Sequence, residues 1–160
     1  MKIEKRLEEM GITLPAFQGG TYYGSTIYGS MKPFHIIGNV LHLSGHIPDR
    51  DGKVVHPGRL GETLTLEQGI EAARITGINA MAGMKQALGD LDRVVGIVKS
   101  LNFVACAPDF HDVHKVSSGM TDLLAEVFGR DIGIGCRATI GIQTLALNNC
   151  FETWMEVEFR

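Results

Sequence analysis

Across residues 65–88, apolar and small side chains return every three or four positions. Ile70, Ala73, Gly77, Ala80, Met84 and Leu88 fall on one stripe, which predicts a helix. Ala72, Ile75 and Ala82 form a second row, so this helix is expected to be buried on more than one side. Its small residues let it lie close against a sheet, and Gly89-Asp90 ends it. The same period returns over 109–128, with Val113, Val116, Met120, Leu124 and Val127 on the stripe and Gly129 as the stop. A shorter stripe of Ile3, Leu7 and Met10 ahead of Gly11 predicts a first helix.

Between the helices the period changes to two. FHIIGNVLHLSG reads as a β-hairpin turning at Gly38-Asn39. Residues 46–61 are rich in turn chemistry, with Asp51-Gly52 at a tip, and RVVGIVKSLNFVACA (93–107) reads as a strand. Two further runs close the chain. Over 137–143, Ala138, Ile140 and Ile142 alternate with Arg137, Thr139, Gly141 and Gln143. Over 152–159, Thr153, Met155, Val157 and Phe159 alternate with Glu152, Trp154, Glu156 and Glu158. With Asn148-Asn149 between them, these runs are expected to pair as a closing hairpin. Aligning the apolar sets toward the core then brings Arg137 onto one face with Glu156 and Glu158. Strand parity does not choose between those two glutamates, and a surface ion pair also satisfies it.

The element order is helix, hairpin, long helix, strand, helix, hairpin. It predicts an α+β fold, a mixed sheet with both long helices on one face. The other face, expected to carry Thr, Gly, Gln, Trp and Arg137, is left uncovered, and a subunit interface is the economical way to cover it. Residues 1–160 read as a single domain, with 1–30 as an N-terminal helix and a Gly/Tyr-rich loop extension. Within it, residues 16–31 form a long loop (AFQGGTYYGSTIYGSM) of the kind that often carries function.

Composition narrows the picture. At 44% hydrophobic, 160 residues suffice for a sizeable core. No 18-residue apolar run suggests a membrane span, and the charged start is unlike a secretory signal. The net charge of −3, without a Lys/Arg run, argues against a nucleic-acid groove. Three widely spaced cysteines, Cys106, Cys136 and Cys150, read as reduced thiols of a cytoplasmic protein. His42/His46 and His111/His114 lack partners at ligand spacing, so no metal is expected. GRDIGIG (129–135) lacks the GK[ST] of a phosphate loop, and no GxSxG occurs. Ser44-Gly45-His46 is a sequence neighbourhood, not a triad, and Cys106 reads as a packed thiol.

Several stretches taken in order resemble the RidA/YjgF family, whose members also carry the name L-PSP endoribonuclease. They are GNVLHLSGHIPDRDGKV (38–54), LDRVVGIVKSLNFVACAPDF (91–110), GMTDLLAEVFG (119–129), CRATIGIQTL (136–145) and WMEVEF (154–159). The resemblance runs from about Phe34 to Phe159 and points to a branch with an extended second helix. It implies a chorismate-mutase-like α+β domain that forms a homotrimer with clefts between subunits. It also implies hydrolysis of reactive imines or enamines bearing a carboxylate to a 2-oxo acid and ammonia, with no metal or organic cofactor.

Carried over by motif, Arg137 would grip the substrate carboxylate and Glu156 would handle water or the leaving amine. Ser44 and Gly45 would line the cleft. Guanidinium suits carboxylate because it donates bidentately. Three positions depart from the family pattern. Met31 stands where a tyrosine is usual, with Tyr28 nearby as a substitute, Ser118 replaces an asparagine, and Thr139 takes a position often held by Cys or Ser. Tyr28, Ser118 and Thr139 are therefore the other expected substrate contacts. The altered pocket favours a larger or different substrate, or a role as a non-catalytic carboxylate-binding or regulatory trimer. The expected partners are a small carboxylate and further copies of the chain, with neither nucleic acid nor membrane.

Overall fold

The computed structural model describes residues 1–17 and 28–160. Most of the glycine- and tyrosine-rich stretch expected to be a long loop lies outside them. In chain order come α1 (Lys2–Glu9), β1 (Phe34–Ile37), β2 (Val40–Leu43), β3 (Asp49–Arg50) and β4 (Lys53–Val54). Then follow α2 (Leu66–Leu88), β5 (Val94–Ala105), α3 (Val113–Phe128), α4 (Arg130–Gly133), β6 (Cys136–Ile142) and β7 (Phe151–Phe159). The fold is α+β, a mixed five-stranded sheet in the order β1-β2-β7-β5-β6, with β3-β4 as a separate small ribbon.

Local chemistry explains the elements that matched expectation. Thr65 caps α2 reciprocally: its hydroxyl accepts from Gln68 N at 3.3 Å while Gln68 Oε1 accepts from Thr65 N at 2.9 Å. Gly38 takes a positive φ at the β1–β2 turn, and Asp51 and Gly52 do so at the β3–β4 tip. Where α2 crosses α3, a Cβ on Gly119 would run into the carbonyl oxygen of Ile70, so the two backbones meet with no room for a side chain. α3 begins at Val113 rather than 109 because Phe110 N donates to Ala107 O at 3.1 Å, closing a turn through Pro108 before Asp112 starts the helix.

The core lies between the two long helices and one face of the sheet. Leu41 and Leu43 of β2, Met155 and Val157 of β7 and Val104 of β5 join Met81, Met84, Met120 and Leu124 there. Among the described residues no helix is long and apolar enough to cross a membrane.

The closing hairpin is not formed. β6 and β7 lie on opposite sides of β5, β6 parallel to it and β7 antiparallel. The cause is the helix before β6. A strand followed by a helix on one face returns beside the first strand in the same direction, so β5, α3 and β6 form a parallel crossover unit. The chain then crosses β5 through residues 146–148, where Leu147 and Asn148 adopt positive φ, before β7 inserts between β2 and β5.

The face expected for Arg137 is inverted as well. Arg137 pairs with Ser100 and turns toward α3, while the apolar set of β6 points away from the helices, leaving Ile140 45% exposed. Polar groups on α3 attract the polar set of β6. Thr139 Oγ1 sits 2.6 Å from Ser117 Oγ, and Arg137 donates to the same helix. The uncovered face is consequently more apolar than expected. It carries Ala138 and Ile140 beside Leu101, Phe103 and Trp154, and Arg137 is absent from it.

Candidate functional site

The predicted site residues fall into two groups on opposite faces of the sheet. Glu156 pairs with Lys99 on β5 and with His42 on β2, and all three sit on the open face. Ser100 and Met155, one step along, are buried on the helix face, and Arg137 pairs with Ser100. One chain therefore does not bring Arg137 to Glu156.

The first group surrounds a cavity of about 490 Å³ lined by Ser44, Gly45, Glu152, Trp154, Glu156 and Lys99, together with Met31 and His42. β7 supplies its floor, since alternation puts Glu152, Trp154 and Glu156 on one face. Glu156 Oε1 lies 3.8 Å from Lys99 Nζ and 3.6 Å from His42 Nδ1. Glu158, which strand parity did not separate from Glu156, is outside this cavity and accepts from Asn39 Nδ2 at 2.9 Å.

Hydrogen bonds to the neighbouring backbone fix the corner at residues 44–46. Ser44 N donates to Pro33 O at 3.0 Å and its hydroxyl donates to Lys32 O. His46 exchanges backbone bonds of 3.0 Å with Thr153, and its Nδ1 lies 2.7 Å from Ser44 O. Since that oxygen only accepts, Nδ1 carries the proton. His46 is 1% exposed, and burial lowers its pKa to about 4. Next to it, a Cβ on Gly45 would meet Glu152 Oε1, so a side chain there would push that carboxylate from its present position. Burial raises the pKa of the Tyr28 phenol, and the charges of Asp49 and Glu152 raise it further; Tyr28 itself is not among the residues that line the cavity.

The second group lies where β6 meets α3. Arg137 donates to Thr121 Oγ1 at 2.9 Å, Ser118 Oγ at 3.4 Å and the His114 carbonyl at 3.2 Å. These contacts hold the guanidinium against the helix at the edge of the sheet, while the residue stays exposed. Ser118 and Thr139, both expected near a substrate, belong to this group. Ser118 touches Arg137 itself, and Thr139 braces β6 through Ser117.

Sequence reasoning missed Lys99, His42, Glu152 and Trp154 as cavity residues, and Thr121 and His114 as supports of Arg137. The alternation along 152–159 did put both glutamates and the tryptophan on one face. The strand order that sets Lys99 and His42 against them carries no local signal.

Comparison with known proteins agrees with this architecture. Residues 4–156 match the family described as "YjgF/chorismate_mutase-like, putative endoribonuclease". Protein TCP17 of Trypanosoma cruzi is 34% identical over 158 residues, which span 98% of this chain and 94% of that protein. A crystal structure described as that of a "putative endoribonuclease" from Shewanella oneidensis MR-1 superposes with TM-score 0.90 at 29% identity, covering 99% of this chain and 100% of the other. At 16% identity and TM-score 0.60, covering 82% of this chain and 90% of the other, Escherichia coli TdcF shares the fold, and its structure holds bound serine. With nearly its whole length matched and a relative above 30% identity, the chain belongs to the YjgF/chorismate mutase-like family.

Proposed function

We propose that the chain hydrolyses a reactive imine or enamine bearing a carboxylate, releasing a 2-oxo acid and ammonia, at a site built by two copies within a homotrimer. One observation carries this reading: the carboxylate-gripping group and the acid–base group lie on opposite faces of one sheet, with β5 between them. No side-chain rotation joins them within a chain, whereas a second copy seated on the apolar open face brings its own edge strand, and so its Arg137, to the cavity. Leu101, Phe103, Ala138 and Ile140 give that face the apolar character of an interface.

In this reading Arg137 of one copy binds the substrate carboxylate through N–H groups that α3 leaves unused. Glu156 of the other copy takes a proton from water as the water oxygen bonds to the imine carbon. The proton passes to nitrogen to give a carbinolamine; its hydroxyl proton then moves through Glu156 to nitrogen as the C=O bond forms and the C–N bond breaks, and ammonia leaves the 2-oxo acid. Lys99 and His42 hold the Glu156 carboxylate in place. The same two contacts favour a second reading, a non-catalytic carboxylate-binding trimer in which Glu156 is only a structural counter-charge.

The test is ammonia release from imines generated in situ by an amino-acid oxidase. Glu156→Gln should lower turnover by roughly 10²–10⁴ and leave the assembly intact, while Glu158→Gln loses much less. Sedimentation should give a mass near three chains, and a stable monomer would remove the shared site. A parent inactive on every imine hands the protein to the second reading.

A further inference from the structure

The two ends of the cavity floor differ in charge. At one end Glu156 is compensated by Lys99 at 3.8 Å, with the His42 ring 3.6 Å away. At the other end Glu152 has no basic partner among the described residues, although it lines the same cavity. One of its oxygens is held by Trp154 Nε1, which donates to it at 2.8 Å. The indole is 51% exposed, its ring set edge-on to Phe103 with the centroids 5.2 Å apart. Opposite, the missing Cβ of Gly45 leaves the carboxylate its space, since a Cβ there would also lie 3.1 Å from Trp154 Nε1.

An uncompensated carboxylate, fixed by an indole N–H and flanked by two aromatic rings, is the chemistry that recognises a cationic nitrogen. Ammonium or guanidinium N–H groups make short charge-assisted bonds to carboxylate, and aromatic faces attract the same cation. We propose that the Glu152 end of the cavity is a subsite for a cationic nitrogen, so that the substrate is an imino acid with a basic side chain. The imine part of that statement rests on the deaminase reading, and the subsite itself does not. Spacing supports the match. Glu152 and Glu156 stand four residues apart on a strand, about 13 Å between Cα atoms, with side chains projecting into one space. An imine carbon at Glu156 and a terminal ammonium or guanidinium at Glu152 would be joined by a chain of several methylenes.

Two measurements separate this subsite from the reaction. Trp154 is the sole tryptophan of the chain, so its fluorescence reports directly on occupancy. Titration with pentylammonium chloride at constant ionic strength should change its emission saturably, and pentanoate or pentanol should bind more weakly by about tenfold or more. Glu152→Gln should weaken pentylammonium by at least about tenfold, whereas Glu158→Gln, altered outside the cavity, should leave it unchanged. Equal binding of pentanol, or unchanged ammonium affinity in Glu152→Gln, overturns the subsite.

In the ammonia assay, imines of lysine and arginine should exceed those of leucine and methionine in kcat/KM. Glu152→Gln should shrink that ratio by about tenfold. If the parent hydrolyses neutral imines as well as basic ones and Glu152→Gln leaves the ratio alone, the subsite fails and the deaminase stands. If no imine is turned over but pentylammonium binds in a Glu152-dependent way, the deaminase fails and the subsite stands.

Discussion

Acid should destabilise this protein through one buried side chain. His46 is 1% exposed, lies against Gly83 of α2 and carries its proton on Nδ1 toward Ser44 O. Its pKa is lowered from 6.5 to about 4, because burial penalises the imidazolium more than the bond to Ser44 O favours it. The unfolded chain therefore takes up a proton first as pH falls. Stability contributed by the neutral ring is complete above pH 6.5 and is lost between 6.5 and about 4. A gap of about 2.5 pH units at about 1.4 kcal/mol each gives about 3.5 kcal/mol in full, about 3 kcal/mol of it lost by pH 4, a large part of the 5–15 kcal/mol typical of a domain. Urea unfolding of the parent and of His46→Gln at about pH 7 and about pH 4 isolates this contribution, because carboxylates titrate alike in both proteins. His46→Gln should be less stable than the parent at neutral pH yet lose about 3 kcal/mol less on acidification. Equal acid losses would show that His46 takes up a proton in the fold without penalty.

Gly83→Ala would normally help a helix, but the new Cβ would lie 2.5 Å from Nε2 of the buried His46 ring, so one of them must shift. The expected result is a loss of about 1–3 kcal/mol in denaturant unfolding, and a gain would mean that the ring can shift. Arg137→Lys keeps the charge but forfeits the fork that reaches Thr121, Ser118 and the His114 carbonyl. Carboxylate affinity measured by calorimetry should fall by about 1–3 kcal/mol, and unchanged affinity would make Arg137 purely structural.

Helix positions were legible because their cause is local. The stripes on α2 and α3, the Thr65 cap and the glycine stops act within a few residues, and so does the Gly38 turn. Strand pairing has no such cause. The runs at 137–143 and 152–159 have the right alternation for a hairpin, but α3 had already fixed the direction in which β6 returns, and β5 takes the place between them. The face of β6 was misassigned because apolar side chains were expected inward, whereas α3 presents Ser117 and Thr121 where the helix meets that strand. Arg137, Glu156, Ser44 and Gly45 were singled out through motif resemblance, and the structure places Glu156, Ser44 and Gly45 around one cavity with Arg137 on the other face. Strand periodicity alone grouped Glu152 with Trp154, and only the structure shows that Lys99 and His42 stand at one end of the cavity and Gly45 at the other.

The position of β7 governs how the chain can fold. It is the last strand in sequence and lies inside the sheet, joining β1-β2 to β5-β6 by pairing Val40 with Glu158 and Gly96 with the same residue. Until it docks, the early hairpin and the β5-α3-β6 unit are two fragments, each with an open hydrogen-bonding edge. Closing such distant pairings is slow, and open edges invite pairing with other chains meanwhile. On the ribosome these fragments must wait for residues 151–159 before either can bury its edge, so chaperone dependence should track the delay between synthesis of β6 and release of β7.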